Sequence, residues 1–101
     1  MVRKKSGYVY MLRCADGTIY HGMTGDLRRR LALHRKGRVR YTAPRRPVNL
    51  VWLHVTPTAA QARQRELALK SGRTRKKAIE MMIAEFPMEA LAPFAGGACQ
   101  G

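Results

Sequence analysis

Glu66 stands out first. It is the only acidic side chain between Leu27 and Ile79, and helical spacing sets it between Ala62 and Leu69, inside an apolar stripe. A carboxylate there needs a partner, because burying an unpaired charge is costly. Two readings stand: an ion pair, with Lys70 one turn on or with Arg30 across the core, and a ligand to a divalent metal ion. Tyr10 and Tyr20 form a second set. In the strand register argued below they share a sheet face, as a packed aromatic pair or as two hydroxyls available for proton transfer. Arg30 and His34 lie one helical turn apart at the edge of an apolar stripe, where a merely solvated role is not expected. His21, His34 and His54 lack metal-ligand spacing, His54 reads as structural, and Tyr8 reads as packing. There is no Gly-rich phosphate loop and no Ser/His/Asp arrangement.

These residues sit in a strongly basic chain. Twenty Lys and Arg face six Asp and Glu over 101 residues, a formal net charge of +14, and every basic residue lies between Arg3 and Lys77. Such a density repels itself in the folded state and is relieved by a polyanion. Nucleic acid, with one charge per ~1.7 Å of duplex axis, is the expected partner, DNA foremost. An anionic membrane is the rival, but no basic amphipathic helix with a large aromatic face is visible. No apolar run approaches the ~18 residues of a membrane span. Tyr8 to Leu12 is too short for the apolar part of a signal peptide and is closed by Arg13. Cys14 and Cys99 make neither a disulfide framework nor a zinc pattern, so a reducing cytoplasm is the expected compartment.

The elements that must position the side chains follow from pattern. Residues 1–6 read as a basic arm, 7–86 as one domain, and 87–101, rich in Ala, Gly and Pro, as a loosely held tail. Tyr8 to Cys14 and Ile19 to Met23 are rich in β-formers around a turn at 15–18, which predicts a hairpin. A three-residue turn with Gly17 as the bulge residue sets Leu12 against Tyr20 and Tyr10 against Gly22. Both tyrosines then share a face, and Gly22 leaves space across from Tyr10. Thr24 or Asp26 caps a helix to about Lys36, stopped by Gly37, with Leu27 and Leu31 inward and Arg28 and Arg29 outward. Pro44 and Pro47 keep the basic loop 37–47 out of strand or central helix. Val48 to Val55 reads as a buried strand. Thr58 and Gln61 form a capping box for a helix to about Ser71, before Gly72. Thr74 caps a third helix, whose period shows in Ile79, Met82, Ile83 and Phe86 and which Pro87 stops. The expectation is an α/β or α+β domain of order β-β-α-β-α-α, a small three-stranded, mainly antiparallel sheet flanked by three helices.

At this point five short motifs, in order and at fitting spacing, resemble one family. Tyr8-Val9-Tyr10 followed by Tyr20-His21-Gly22 is similar to the paired signature of the GIY-YIG nuclease domain. Thr24 to Leu31 resembles the family's helix, with Arg30 ten residues past Tyr20 and His34 one turn further. Arg45 to Trp52 resembles the segment entering the third strand in the small stand-alone bacterial members, and Ala62 to Lys70 resembles the helix carrying the metal-binding glutamate. The likeness covers about residues 7–83. Met23 stands where some members have Lys or Tyr, and no Asn follows Asn49, whereas some members carry one after the glutamate helix.

The resemblance implies a metal-dependent endonuclease that hydrolyses DNA phosphodiester bonds, in repair or recombination, with Tyr10, Tyr20, Arg30, His34 and Glu66 as its catalytic set. Glu66 would hold one Mg²⁺ or Mn²⁺. Arg30 would grip the scissile phosphate. Tyr10 would orient or deprotonate water, Tyr20 would assist or bond the phosphate, and His34 would relay a proton or contact phosphate. Arg30 and the metal should lower the pKa of Tyr10 below its ordinary ~10. Binding is expected from Arg29, Arg38, Arg40, Arg45, Arg46 and Lys70, with the basic arm and Arg73 to Lys77, while Tyr41 stacks on a base. Phosphate contacts position without specifying, so little sequence preference is expected beyond one for branched or nicked DNA. A monomer or weak dimer, targeted by a partner protein if at all, completes the expectation. The alternatives are a catalytically weak or inactive DNA- or RNA-binding module on the same fold, and a small interaction domain lending a basic surface to an assembly.

Overall fold

The computed structural model describes residues 6–70 and 76–95. Three strands, β1 (Gly7–Cys14), β2 (Ile19–Thr24) and β3 (Val48–Thr56), form one antiparallel sheet in the order β2-β1-β3. Helix α1 (Leu27–Arg35) follows the hairpin, α2 (Ala59–Lys70) and α3 (Lys76–Glu85) follow β3, and a 3₁₀ turn (Ala43–Arg45) interrupts the basic loop. This is the expected α+β order.

The hairpin has the expected register. Gly17 lies at φ +89°, the left-handed region where a three-residue turn needs glycine, and Tyr10 pairs with Gly22 and Leu12 with Tyr20. Asp16 fixes the turn by accepting from the Thr18 amide (3.0 Å) and hydroxyl (2.7 Å).

Strand β1 is central and buried on both faces. Val9 and Met11 join Trp52, Ala62, Leu69 and Ile79 in a cluster under α2 and α3. Tyr10, Leu12 and Cys14 join Leu27, Leu31 and Val48 in a second cluster under α1. Full burial of Met11, Leu12 and Leu31 contributes about 1.5–3 kcal/mol each. The apolar run of β3, read as a buried strand, instead forms an edge. Its pairing with β1 is broken by a bulge, with Met11 opposite Trp52 but Leu12 opposite Leu50, and Val55 is exposed. An apolar run reports that residues find cover on alternate faces, not how many strand neighbours they have.

Local signals end the helices as expected. The Asp26 side chain accepts from the Arg29 amide (3.2 Å) at the start of α1, and the chain leaves the helix at Lys36 and Gly37. The Thr58 hydroxyl accepts from the Gln61 amide (3.3 Å) at the start of α2. The stop expected at Ser71 and Gly72, the cap at Thr74, the basic arm and Cys99 lie outside the described residues. Arg13 of β1 donates twice to Glu80 of α3, at 2.6 and 3.2 Å.

The segment read as a loose tail is folded from Met88 to Ala95. Met88–Leu91 forms a 3₁₀ turn and Ala92–Ala95 a short fourth helix, α4. Leu91 is buried, Phe94 packs on the α1-side cluster, and Arg35 donates to the Phe94 carbonyl at 2.9 Å. Composition hid this because two apolar anchors suffice to fix a short segment.

Candidate active site

Tyr10 is the buried centre of the site. Its ring lies over Gly22, where a Cβ would stand 2.5 Å from the phenol oxygen. The hairpin register brings the Tyr20 ring to 6.3 Å from that of Tyr10, centroid to centroid, on the same face. Helix α1 supplies Arg30 and His34 from one side. His34 is fully buried, with its ring edge-on to Tyr10 (5.7 Å) and Tyr20 (5.0 Å). The Tyr10 oxygen lies 2.8 Å from His34 Nε2, and His34 Nδ1 lies 2.8 Å from Thr42 Oγ1. The Arg30 guanidinium faces the phenols, and its proton is held more firmly through the Tyr10 hydroxyl above all and then through Tyr20.

The electrostatics differ from expectation. Arg30 does draw the Tyr10 phenol toward ionisation, but burial outweighs it, and the neighbouring Tyr20 and Glu66 add to burial. The phenol is pushed up to about 12. His34 is driven down to about 4, by burial first and by the Arg30 charge second. At neutral pH the pair is a neutral phenol beside a neutral imidazole. Moving the Tyr10 proton to His34 is therefore uphill in the resting site.

Glu66 lies half-buried on α2, near enough for its charge to act on Tyr10. Among the described residues no three His, Cys, Asp or Glu side chains converge as a metal cage. One carboxylate as protein ligand suits a hard ion that keeps waters and shares substrate phosphate, as Mg²⁺ does, and does not suit a structural zinc.

Tyr41, Arg45 and Asp16 border this group. Tyr41 is 45% exposed, its ring 5.7 Å from that of Tyr20, with the Arg45 guanidinium 4.1 Å from its centroid. Arg45 also pairs with Asp16 at 3.1 Å and donates to the Tyr41 carbonyl at 2.6 Å. Arg46 donates to the Ala43 and Arg35 carbonyls at 3.0 and 3.3 Å, tying the loop to the end of α1. Of the expected phosphate-binding residues, Arg45 and Arg46 therefore have protein partners, while Arg29, Arg38 and Arg40 are exposed. The Lys70 side chain lies outside the description. The sequence reading missed Thr42, fully buried beneath His34. It sits in an irregular loop, where no period marks a buried position.

No helix among the described residues is long and apolar enough to cross a membrane. A GIY-YIG catalytic domain family model matches residues 6–79. The chain is 38% identical over 89 residues to a UPF0213 protein of Bacillus pumilus, covering 87% of this chain and 89% of that one. It is 40% identical over 74 residues to a UPF0213 protein of Streptococcus pyogenes, covering 72% and 80%. The solution structure of the UPF0213 protein of Bacillus halodurans superimposes with a TM-score of 0.51 at 35% identity, covering 83% of this chain and 90% of that one. With a family model matched over most of its length and an arginine, two tyrosines and a histidine gathered on one sheet face, the chain belongs to the GIY-YIG catalytic domain family, a family of nucleases.

Proposed function

We propose that this protein is a divalent-metal-dependent endonuclease that hydrolyses DNA phosphodiester bonds with little sequence preference, in repair or recombination. The observation that carries this reading is the convergence of Tyr10, Tyr20 and Arg30 at one point, with the charge of Glu66 felt at Tyr10. Arg30, planar and always charged, grips a non-bridging oxygen of the scissile phosphate and stabilises charge as it develops there. Tyr10 orients the attacking water, and Tyr20 steadies the phosphate. His34 has both ring nitrogens within 2.8 Å of side-chain oxygens, which favours a relay behind Tyr10 over contact with phosphate. Glu66 holds the metal, which when bound polarises the phosphate and eases departure of the leaving oxygen. Arg29, Arg38 and Arg40 take flanking phosphates, and Tyr41, backed by Arg45, offers a ring to an unpaired base.

One observation favours the alternative of a binding module with negligible turnover: burial holds the Tyr10 phenol at about 12, far from a base poised for neutral pH. One experiment separates them. Labelled duplex, single-stranded and branched DNA are incubated with the protein and Mg²⁺, Mn²⁺ or EDTA, alongside Glu66→Ala and Tyr10→Phe. Metal-dependent cleavage lost in both variants supports the nuclease. Binding without cleavage under every condition selects the module.

A further inference from the structure

Two fixed groups determine where the hydrogens of the buried trio point. At one end, Thr42 Oγ1 lies 3.4 Å from the Val39 carbonyl, which can only accept and so offers the Thr42 hydrogen a direction away from His34. Oγ1 then accepts from His34, which places the imidazole hydrogen on Nδ1 and leaves Nε2 bare. At the other end, the phenol oxygen of Tyr10 faces the Arg30 guanidinium, which has donors and no acceptor. The Tyr10 hydrogen therefore turns inward to Nε2, 2.8 Å away. The reverse order would set the Nε2 hydrogen against Tyr10 and turn the phenol hydrogen toward a cation. The Arg30 end sets this direction, and the Thr42 end accommodates it.

We propose that Thr42 is a positioning residue that holds His34 in the Nδ1–H tautomer, so that Nε2 takes the Tyr10 hydrogen and the phenol oxygen faces the site with lone pairs alone. One lone pair meets Arg30, and the other is left to accept from water. Thr42 is suited to this because it is fully buried and its own amide bonds to Val39 at 3.2 Å, so the hydroxyl rides on a fixed turn. The role in cleavage rests on the nuclease reading; the tautomer does not. In the reaction, a water hydrogen passes to the Tyr10 oxygen as the Tyr10 hydrogen passes to His34 Nε2. The hydroxide oxygen forms the new bond to phosphorus while the bond to the leaving oxygen breaks; the leaving oxygen keeps the electron pair and takes a proton from solvent, and His34 ends as imidazolium with Nδ1–H still on Thr42.

The test is two-bond ¹H–¹⁵N correlation spectroscopy of the imidazole nitrogens in the full chain at pH 7.5, with His34 assigned from its loss in His34→Gln. Wild type should show a protonated Nδ1 and an unprotonated Nε2. Thr42→Val, which keeps the shape and removes the hydroxyl, should shift the population toward Nε2–H, and Thr42→Ser should restore the wild-type pattern. Cleavage should fall ~10–100-fold in Thr42→Val and recover in Thr42→Ser, the usual size of an effect exerted through a neighbouring ligand. A wild-type His34 protonated at Nε2, or a tautomer unmoved in a folded Thr42→Val, overturns the proposal. The expected tautomers without cleavage in wild type would support the role of Thr42 in setting the tautomer while removing the nuclease reading.

Discussion

Acid should unfold this protein through His34. The native imidazole is held down to about 4, by burial and then by the Arg30 charge, whereas an unfolded histidine titrates near ~6.5. Above pH 6.5 both states are neutral there, and this source of stability is fully present. As pH falls from 6.5 toward 4, the unfolded chain binds a proton that the native site refuses, so stability is lost across that window. The complete loss is about 3 kcal/mol, and the part realised between pH 7.5 and 5.0 is about 2 kcal/mol. Against a typical total of 5–15 kcal/mol this is large. At a urea slope of about 1–2 kcal/mol per molar, the unfolding midpoint should move down by roughly 1–2 M. The assay is urea unfolding followed by circular dichroism at both pH values, for wild type and His34→Gln. The variant can still bond to Tyr10 and Thr42 but cannot take the proton. It should be less stable than wild type at pH 7.5 and lose far less on acidification. Asp16 and Glu80, whose carboxyls are held low by Thr18 and by Arg13, contribute alike to both proteins and cancel. Equal losses in the two proteins would refute a buried, neutral His34.

Three further outcomes are expected. Because burial holds the Tyr10 phenol at about 12, an ultraviolet titration to pH 10.5 should yield the same phenolate absorbance for wild type and Tyr10→Phe; a clear excess in wild type would show Tyr10 ionising early. Gly22→Ala should displace the Tyr10 phenol, destabilise the fold by about 1–3 kcal/mol in thermal melts, and abolish any cleavage, since its Cβ would stand 2.5 Å from the phenol oxygen. In fluorescence anisotropy, DNA affinity should fall ~10³-fold between 50 and 200 mM salt if about six phosphates are neutralised, and Arg38→Ala or Arg40→Ala should each lower the salt slope by about one. A salt-insensitive complex would contradict this binding mode.

The hairpin was legible because one glycine at the right place in a turn fixes a register, and a register fixes which tyrosines meet. The helix starts at Asp26 and Thr58 were legible because a short polar side chain before an apolar run satisfies otherwise orphaned amides. What escaped depends on three-dimensional cover. The central position of β1, the edge position of β3 and the anchoring of Leu91 and Phe94 follow from which apolar faces meet, which no single segment encodes. Tyr10 was placed correctly, but its acidity was read with the wrong sign. The sequence displays the arginine beside it, whereas the burial that outweighs the arginine appears only when α1 lies over the sheet. Thr42 was invisible for the same reason, as a loop residue buried by the helix that precedes it.

The charge distribution explains how so basic a chain tolerates a polar site in its core. Tyr10, His34 and Thr42 are fully buried yet carry no net charge, because each supplies what its neighbour lacks. Charge is confined to the boundary, where Arg30 and Glu66 are both half-buried and both act on the phenol. On the proposed function, an incoming phosphate would meet Arg30 first. Its negative charge would offset the guanidinium, which is one of the two causes holding His34 down, and so make the imidazole a better proton acceptor as substrate arrives. That ordering would keep the trio neutral and the fold stable without DNA, and would reserve the proton-accepting state for the proposed complex. It predicts that the His34 imidazole, followed by its ring resonances, titrates at higher pH with a bound oligonucleotide in EDTA than in the free protein. An unchanged or lower titration would mean that Arg30 does not couple the phosphate to His34.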